Sequence, residues 1–406
     1  MPVRRLLLSS HVASRMLVAL PLVIVVLASF GAPAQAQAQA QAQERPHKFA
    51  TLSLWDPVST NSDREASTNL RIALIQSYVH SVRGLDITGV ASQLGGDIKG
   101  VQLTGIYSHI EGGGRGAVLS GFASNMGGEF TGLNASLVMS LNRARFSGLQ
   151  ISGLANFTTG GFSGFQWAGT LNMNDGTGKG WQVSSLGNVS NGKFVGLQTS
   201  MFFNFANVGM SGIQAAGLNW TRHIRGSQIG LLNIAGSVDG IQLGILNFSE
   251  QHNGVPVGLV NVASNGTKNW VSWASSYLGV QTGVRTTVNN WYSILSVGGV
   301  YMGETDLDVL AFAWNYGYRL GFTERLSLSV DAGFVHIIPD SNPDLNDRLR
   351  PAVQGRAALE FALGSSVSLM LGAGGNQEWS EYASGATTDF DPLVFGGISL
   401  FGEAVR

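Results

Sequence analysis

The residues in the middle of the chain that could support acid–base chemistry are seven acids spread over residues 84–268. They are Asp86, Asp97, Glu111, Glu129, Asp175, Asp239 and Glu250. A glycosidase needs two carboxylates about 5–9.5 Å apart, and the spacing of these acids places no two of them on neighbouring repeats as a pair. An envelope carbohydrate-active enzyme is therefore the least favoured function class, and we expect no catalytic residue.

Metal and cofactor chemistry has equally little support. The chain has no Cys, and its seven His residues form no metal-ligand spacing such as His-Glu-x-x-His. The glycine-rich stretches 112–116 and 176–180 do not complete a phosphate-binding loop. We therefore expect neither a metal nor a cofactor.

Amide side chains, by contrast, recur at a fixed period. Gly repeats every 16 residues from Gly84 to Gly212, and then every 14 residues to Gly254. Most repeats have Gln two residues after the Gly, and many have Asn seven or eight residues after it. Identical amides on stacked strands can hydrogen-bond along the stack, so we interpret these columns as structural ladders and not as ligand sites. The ladder residues are Gln150, Gln166, Gln182, Gln198, Asn156, Asn172, Asn188 and Asn204.

The elements that carry these columns are predicted to be short strands. Apolar residues alternate with the Gln, as in Leu149-Gln150-Ile151, and Phe146 and Phe162 stand two residues before a Gly. Three apolar columns per unit, separated by Gly corners, favour a β-solenoid with a packed apolar core. The alternative is a meander in which each repeat is one strand of a large antiparallel β-barrel.

The last third of the chain alternates as membrane-type strands do, with an apolar and aromatic face opposite a small or polar one. Seven strands are predicted, at 270–282, 291–302, 307–322, 325–338, 351–363, 366–379 and 392–402. Bacterial barrels usually have an even number of strands, so either one strand is missed or the last repeats supply it. The predicted inner face carries Arg319, Asp331, Arg356 and Glu360, which we interpret as a structural ion-pair cluster, with a gate or ion path as the alternative.

Composition and the N-terminus point to the bacterial envelope. Only 12% of the 406 residues are charged, the net charge is −1 and Gly contributes 55 residues, so a nucleic-acid partner is not expected. A basic start, an apolar run and Ala34-Gln35-Ala36 predict a secretory signal peptide. The expected organisation is a signal peptide at 1–36, an Ala-Gln leader at 37–46, a capping segment at 47–83, the repeats at 84–268 and barrel-type strands at 269–406.

The repeat motif carries a resemblance. Gly226-Ser-Gln-Ile-Gly-Leu-Leu-Asn233 and Gly240-Ile-Gln-Leu-Gly-Ile-Leu-Asn247, together with later strands such as Trp314-Asn-Tyr-Gly-Tyr318, resemble a functionally uncharacterised family of bacterial surface-repeat and outer-membrane proteins. The resemblance covers roughly residues 50–400 and implies a cell-surface location. It implies no catalytic residues.

These observations together predict an all-β, non-enzymatic protein of the outer membrane or cell surface of a Gram-negative-type bacterium. Its role would be structural, adhesive or in display, and the alternative is an outer-membrane pore or transport barrel. The expected partners are outer-membrane lipid and an unidentified surface ligand or protein.

Overall fold

The computed structural model describes residues 46–56, 58–60, 63–300, 309–339, 350–382 and 385–401. The predicted signal peptide and nearly all of the leader lie outside these residues. The chain forms two units, Met1–Ser185 and Leu186–Arg406. The prediction of an all-β fold with a repeat stack and a barrel is confirmed.

The first unit is a stack of short parallel strands. From Ile98 onward, each 16-residue repeat of this unit supplies one seven-residue and one four-residue strand, and equivalent strands of neighbouring repeats pair in parallel. The strands are β1 His47–Trp55, β2 Val58–Ser59, β3 Ser67–Ala73, β4 Gln76–Val79, β5 Ser81–Thr88, β6 Ala91–Leu94, β7 Ile98–Thr104, β8 Tyr107–Ile110, β9 Gly114–Ser120, β10 Ala123–Met126, β11 Phe130–Ser136, β12 Met139–Asn142, β13 Phe146–Ser152, β14 Ala155–Thr158, β15 Phe162–Ala168, β16 Leu171–Asn174 and β17 Gly178–Ser184.

Parallel pairing decides between the two predicted arrangements. In β13 and β15, Gly148 stands opposite Gly164 and Gln150 opposite Gln166, so identical positions face each other along the stack. A meander would pair neighbouring repeats in antiparallel fashion. The alternative of one large antiparallel barrel that includes the repeats is therefore wrong.

The repeat Gly is required by both conformation and space. Gly148 has a φ of 132°, in a region that residues with a side chain rarely adopt. A Cβ atom there would lie 2.1 Å from the carbonyl oxygen of Gly132. The Gly column thus fixes the bend of each long strand. It also lets successive repeats, each of which forms one rung of the stack, approach closely.

The interior of the stack differs from the predicted apolar core. In the repeat of Gly148, the buried side chains are Phe146, Gln150, Ser152, Ala155, Asn156 and Thr158. The apolar residues that flank the Gln point outward, and Leu149 is 37% exposed. Of the predicted apolar columns, only one is buried in the interior. It stands two residues before the repeat Gly and contains Phe130, Phe146 and Phe162, and we call it the Phe column.

The segment 47–83, which was predicted to be a cap, carries rung strands of its own. β1 pairs in parallel with β3, and β3 pairs in parallel with β5. The short β2 pairs with β1 in antiparallel fashion, so this hairpin closes the stack.

The second unit begins with rungs and continues into a closed barrel. Its rung strands are β18 Gly187–Ser190, β19 Lys193–Thr199, β20 Phe203–Ala206, β21 Gly209–Ala215, β22 Leu218–His252, β23 Val255–Val257 and β24 Val260–Ala263. Its barrel strands are β25 Thr267–Ser275, β26 Gly279–Val288, β27 Trp291–Val300, β28 Val309–Gly321, β29 Leu326–Pro339, β30 Arg350–Ala362, β31 Val367–Tyr382 and β32 Gly385–Phe401. Among the described residues, no helix is long and apolar enough to cross a membrane.

The barrel has eight antiparallel strands, and β25 pairs with β32 to close it. The prediction of a single strand at 270–282 is wrong, because β25 and β26 form a hairpin around a turn at 276–278. This hairpin contains the strand that was missing from the predicted seven.

Polar contacts join the last rung to the barrel. Asn261 Nδ2 donates to Ser293 Oγ at 3.2 Å, and Asn289 Nδ2 donates to the carbonyl oxygen of His252 at 3.1 Å. His252 is buried, and its Nδ1 accepts a hydrogen bond from the backbone N–H of Gly254. Desolvation lowers the pKa of His252 to about 4.

The Phe column yields a first prediction. Phe146 lies between Phe130 and Phe162, with ring centroids 6.0 and 6.5 Å away. Because truncating a buried Phe removes apolar contacts and leaves a cavity, Phe146→Ala should lower the free energy of unfolding by about 3–5 kcal/mol. The outward-facing Leu149→Ala is the matched control and should cost much less in chemical denaturation of the folded chain. Equal losses in the two variants would contradict the assignment of Phe146 to the interior.

The contact between the last rung and the barrel yields a second prediction, which concerns how stability depends on pH. His252 has a pKa near 4 in the folded chain and about 6.5 when unfolded, so the unfolded state binds the proton more readily between these values. The contribution of neutral His252 to the free energy of unfolding is therefore present above pH 6.5. It is lost as the pH drops, by about 2 kcal/mol between pH 7 and pH 5. Denaturation at the two pH values measures this loss. His252→Gln should reduce the slope, the exposed His223→Gln should keep it, and an unchanged slope in His252→Gln would refute the assignment.

Candidate functional site

The amide ladders run through the last repeats of the first unit and through the second unit, but the Gln column is interrupted earlier, where Val118 occupies the Gln position of its repeat. In the first unit, Gln166 Nε2 donates to Gln150 Oε1 and Gln182 Nε2 donates to Gln166 Oε1, both at 2.7 Å. Asn156 Nδ2 donates to Asn172 Oδ1 at 2.9 Å and to the carbonyl oxygen of Trp167 at 2.7 Å. All of these amides are fully buried, and the hydrogen bonds named here lie inside the stack.

The second unit repeats the arrangement. Gln214 Nε2 donates to Gln198 Oε1 at 2.9 Å, and Asn188 Nδ2 donates to Asn204 Oδ1 at 2.9 Å. The Asn ladder continues through Asn219, Asn233, Asn247 and Asn261. Because the ladder amides bond to one another and to the backbone, they leave no array of free donors for a ligand.

An ion pair stands at the start of the Gln column in the first unit. Asp86 occupies the Gln position of its repeat, and Arg71 lies opposite it in β3. Arg71 Nε donates to Asp86 Oδ1 at 2.7 Å, and Gln102 Nε2 donates to Asp86 Oδ2 at 2.7 Å. Sequence reasoning missed Arg71, although a buried Asp in a column of neutral amides signals that a cation must lie on a neighbouring rung.

The second group of predicted residues lies in the lumen of the barrel. Asp331 and Arg356 are directly opposite in β29 and β30, and Arg356 Nε donates to Asp331 Oδ1 at 2.8 Å. Tyr292 from β27 donates its hydroxyl to Asp331 Oδ2 at 2.9 Å. β28 lies between these two strands, and the hydrogen bond passes over its Gly317, where a Cβ atom would lie 2.6 Å from both Tyr292 and Asp331.

Glu360 is the centre of the other half of the cluster. Arg285 from β26 binds it in a bidentate manner, with N–O distances of 2.6 and 3.1 Å. Arg319 Nη2 lies 3.4 Å from Glu360 Oε2, and Ser329 also donates to Glu360. Arg285, which sequence reasoning missed, is 2% exposed.

The cluster is flanked by apolar side chains that also point inward. Val271, Trp273, Ile294, Leu393 and Phe395 are all buried together. Arg356 lies over the ring of Trp273, with its guanidinium carbon 4.9 Å from the ring centroid. The expectation of a polar inner face therefore holds for only part of the barrel's length.

Little space remains inside the barrel among the ion pairs and the apolar side chains that flank them. The cavity among the ion pairs has a volume of about 20 Å³, which is close to the size of one water molecule. Of the two bidentate pairs, Arg285–Glu360 joins β26 to β30 through this narrow space, whereas Arg356–Asp331 joins neighbouring strands. The geometry supports a closed structural cluster over the alternative of an ion path.

Metal binding finds no support in the parts of the chain that the structure covers. No group of three or more His, Asp or Glu side chains there could hold a metal ion. The lumen acids are already bonded to Arg, Tyr and Ser side chains, as described above, and Asn315 Nδ2 also donates to Asp331 Oδ1 at 3.0 Å.

No protein-family model matches the chain, and no curated protein is significantly similar to it in sequence. Among solved structures, a de novo designed transmembrane β-barrel is 14% identical over 34% of this chain and 94% of that chain, with a TM-score of 0.23. Neisserial surface protein A is 9% identical over 33% of this chain and 93% of that chain, with a TM-score of 0.23. At these scores neither likeness supports a function for this chain.

The lumen cluster yields a third prediction. Glu360→Gln removes the charge that neutralises Arg285 and Arg319 in a buried site, so it should lower the free energy of unfolding by about 3–5 kcal/mol. Denaturation of the detergent-folded chain measures the loss. The control is Glu324→Gln in an exposed turn, which should stay within about 0.5 kcal/mol of the wild type.

A double variant separates the ion pair from simple packing. If Arg285 and Glu360 act as a pair, Arg285→Met combined with Glu360→Gln should cost less than the sum of the two single changes. Additive losses would contradict the pairing.

Proposed function

We propose that this chain is a non-enzymatic outer-membrane protein whose eight-stranded barrel is a membrane anchor for a repeat stack that acts in envelope structure, adhesion or display. The observation that carries the proposal is a closed barrel whose outer face is apolar while its charges are paired inside. Outward residues such as Phe334 and Leu371 are 62% and 73% exposed. A face of this kind is stable in lipid and unfavourable in water.

An aromatic cluster on the outside of the barrel supports membrane insertion. The ring of Trp291 stacks on Tyr316 at 5.5 Å and meets Tyr318 edge-on at 4.8 Å. Trp314 stacks on Phe334 at 6.2 Å. Trp and Tyr collect at the membrane–water interface because their rings are apolar and their N–H or O–H groups are polar. The cluster thus suits the position of an interfacial girdle.

The repeats support a structural role. Their interior amides are bonded to each other, and the metal and nucleotide motifs that would indicate an enzyme are lacking in the sequence. Repeat stacks of this type present long regular surfaces, and the resemblance to bacterial surface-repeat proteins fits display of such a surface.

The proposal predicts a membrane-bound but non-conducting protein. The mature chain should remain in the membrane fraction after high-salt and alkaline washes and should be released by detergent, because its anchorage is apolar. The detergent-purified chain, added to planar bilayers, should give no conductance above the lipid baseline, because the lumen is filled. Recovery in the soluble periplasmic fraction would overturn the anchor, and stepwise conductance would favour the pore instead.

A further inference from the structure

The outward faces of the last rungs are apolar. Four side chains of β22 on these faces, Ile229, Ile241, Leu243 and Ile245, are 42–46% exposed. The interior positions of the same rungs are occupied by amides that are buried, namely Gln228, Gln242, Asn233 and Asn247. Exposed apolar residues that recur in every repeat form a contiguous surface, and such surfaces mark interaction sites.

Charged residues avoid this surface. Within residues 186–264, the charges lie in the segments that lead into the next repeat Gly, on another side of the rung. They are Lys193, Arg222, Arg225, Asp239 and Glu250. The rung exterior is thus amphipathic, with apolar sides around the Gln and Asn strands and one charged side.

The apolar surface runs onto the barrel. Leu259 of the last rung, 38% exposed, lines the same open depression as Trp270, Leu295 and Phe312 on the outer face of the barrel. The depression has a volume of about 660 Å³. Trp314, which also lines it, donates its Nε1–H to the carbonyl oxygen of Gly258 at 3.2 Å, so the rung and the barrel surface are held together here.

From this continuity we infer that the apolar face of the last rungs, carried by Ile229, Leu243, Ile245 and Leu259, binds the acyl chains of membrane lipid. The inference rests on the proposed membrane anchor, whose lipid-contacting surface it extends beyond the barrel strands. Acyl chains fit because the face offers apolar contact and no charged group, and because the same lipid already covers the barrel surface into which the face continues.

The chain contains no Cys, so single-Cys variants can each carry one spin label. Leu243→Cys and Ile245→Cys place the label on the rung face, and Asp239→Cys in the same repeat is the matched control on the charged side. Leu371→Cys reports on the barrel surface. Each variant is folded as the full mature chain into phosphatidylethanolamine–phosphatidylglycerol vesicles, and the collision rates of the label with molecular oxygen and with a water-soluble nickel complex are compared.

The expected result is a ratio of oxygen to nickel collisions that is several-fold higher at 243 and 245 than at 239, and similar in direction to that at 371. Lipids labelled on their acyl chains should broaden the spectra at 243 and 245 in the same way. Having two rung positions keeps the test valid if one variant fails to fold.

Two outcomes would overturn the inference while leaving the anchor intact. In one, the labels at 243 and 245 meet the nickel complex as freely as the label at 239, while 371 stays in lipid. In the other, they are shielded from both reagents and broaden one another between labelled copies, which would assign the face to a second copy of the chain. Free access of nickel at 371 would refute the anchor itself.

Discussion

The hydrogen bond from one amide side chain to the same amide one repeat further on is the interaction on which the repeat structure depends. Buried amides must find partners, and in a parallel stack the best-placed partner is the identical residue on the next rung. The Gln166–Gln150 bond therefore fixes the register of the long strands. Once that register is set, the Gly residues align at one bend and the apolar neighbours of the Gln are turned outward.

The barrel also buries polar groups in its interior, but there they are charged side chains that pair with one another. Its lumen holds three Arg side chains and two carboxylates in direct contact, and their desolvation is offset only because each has several partners. The apolar layer around Trp273 lies against these pairs, so water has little access to them. Interior polarity thus stabilises both parts of the chain, through neutral ladders in the rungs and through ion pairs in the barrel.

Much of this architecture could be predicted from the sequence, and the failures have physical causes. The identical spacing of Gly148, Gln150 and Asn156 with their equivalents predicted the stack, because parallel rungs repeat their environment. Alternation shows which residues share a face but not which face is inside, so the sequence predicts a packed apolar core although amides fill most of the interior. Arg285 lies in β26 beyond residue 282, where the predicted strand ends, and the signal for the hairpin is Gly279, which follows the turn at 276–278 with a φ of 59°. The rungs at 47–83 were missed because Asn69 stands opposite the repeat Gly84 and the period there is irregular.

The pairing of β25 with β32 has a consequence for how the chain acquires its structure. A rung needs only its neighbour 14 or 16 residues away, so the stack can form by local steps along the chain. The barrel cannot close until residues 130 positions apart meet, as Asn269 and Ser399 do. A chain that lacks its last strand would keep its rungs but present two unpaired edges, which are not tolerated in the interior of a membrane, where we propose that the barrel lies. The final strand thus decides whether the preceding seven become a barrel.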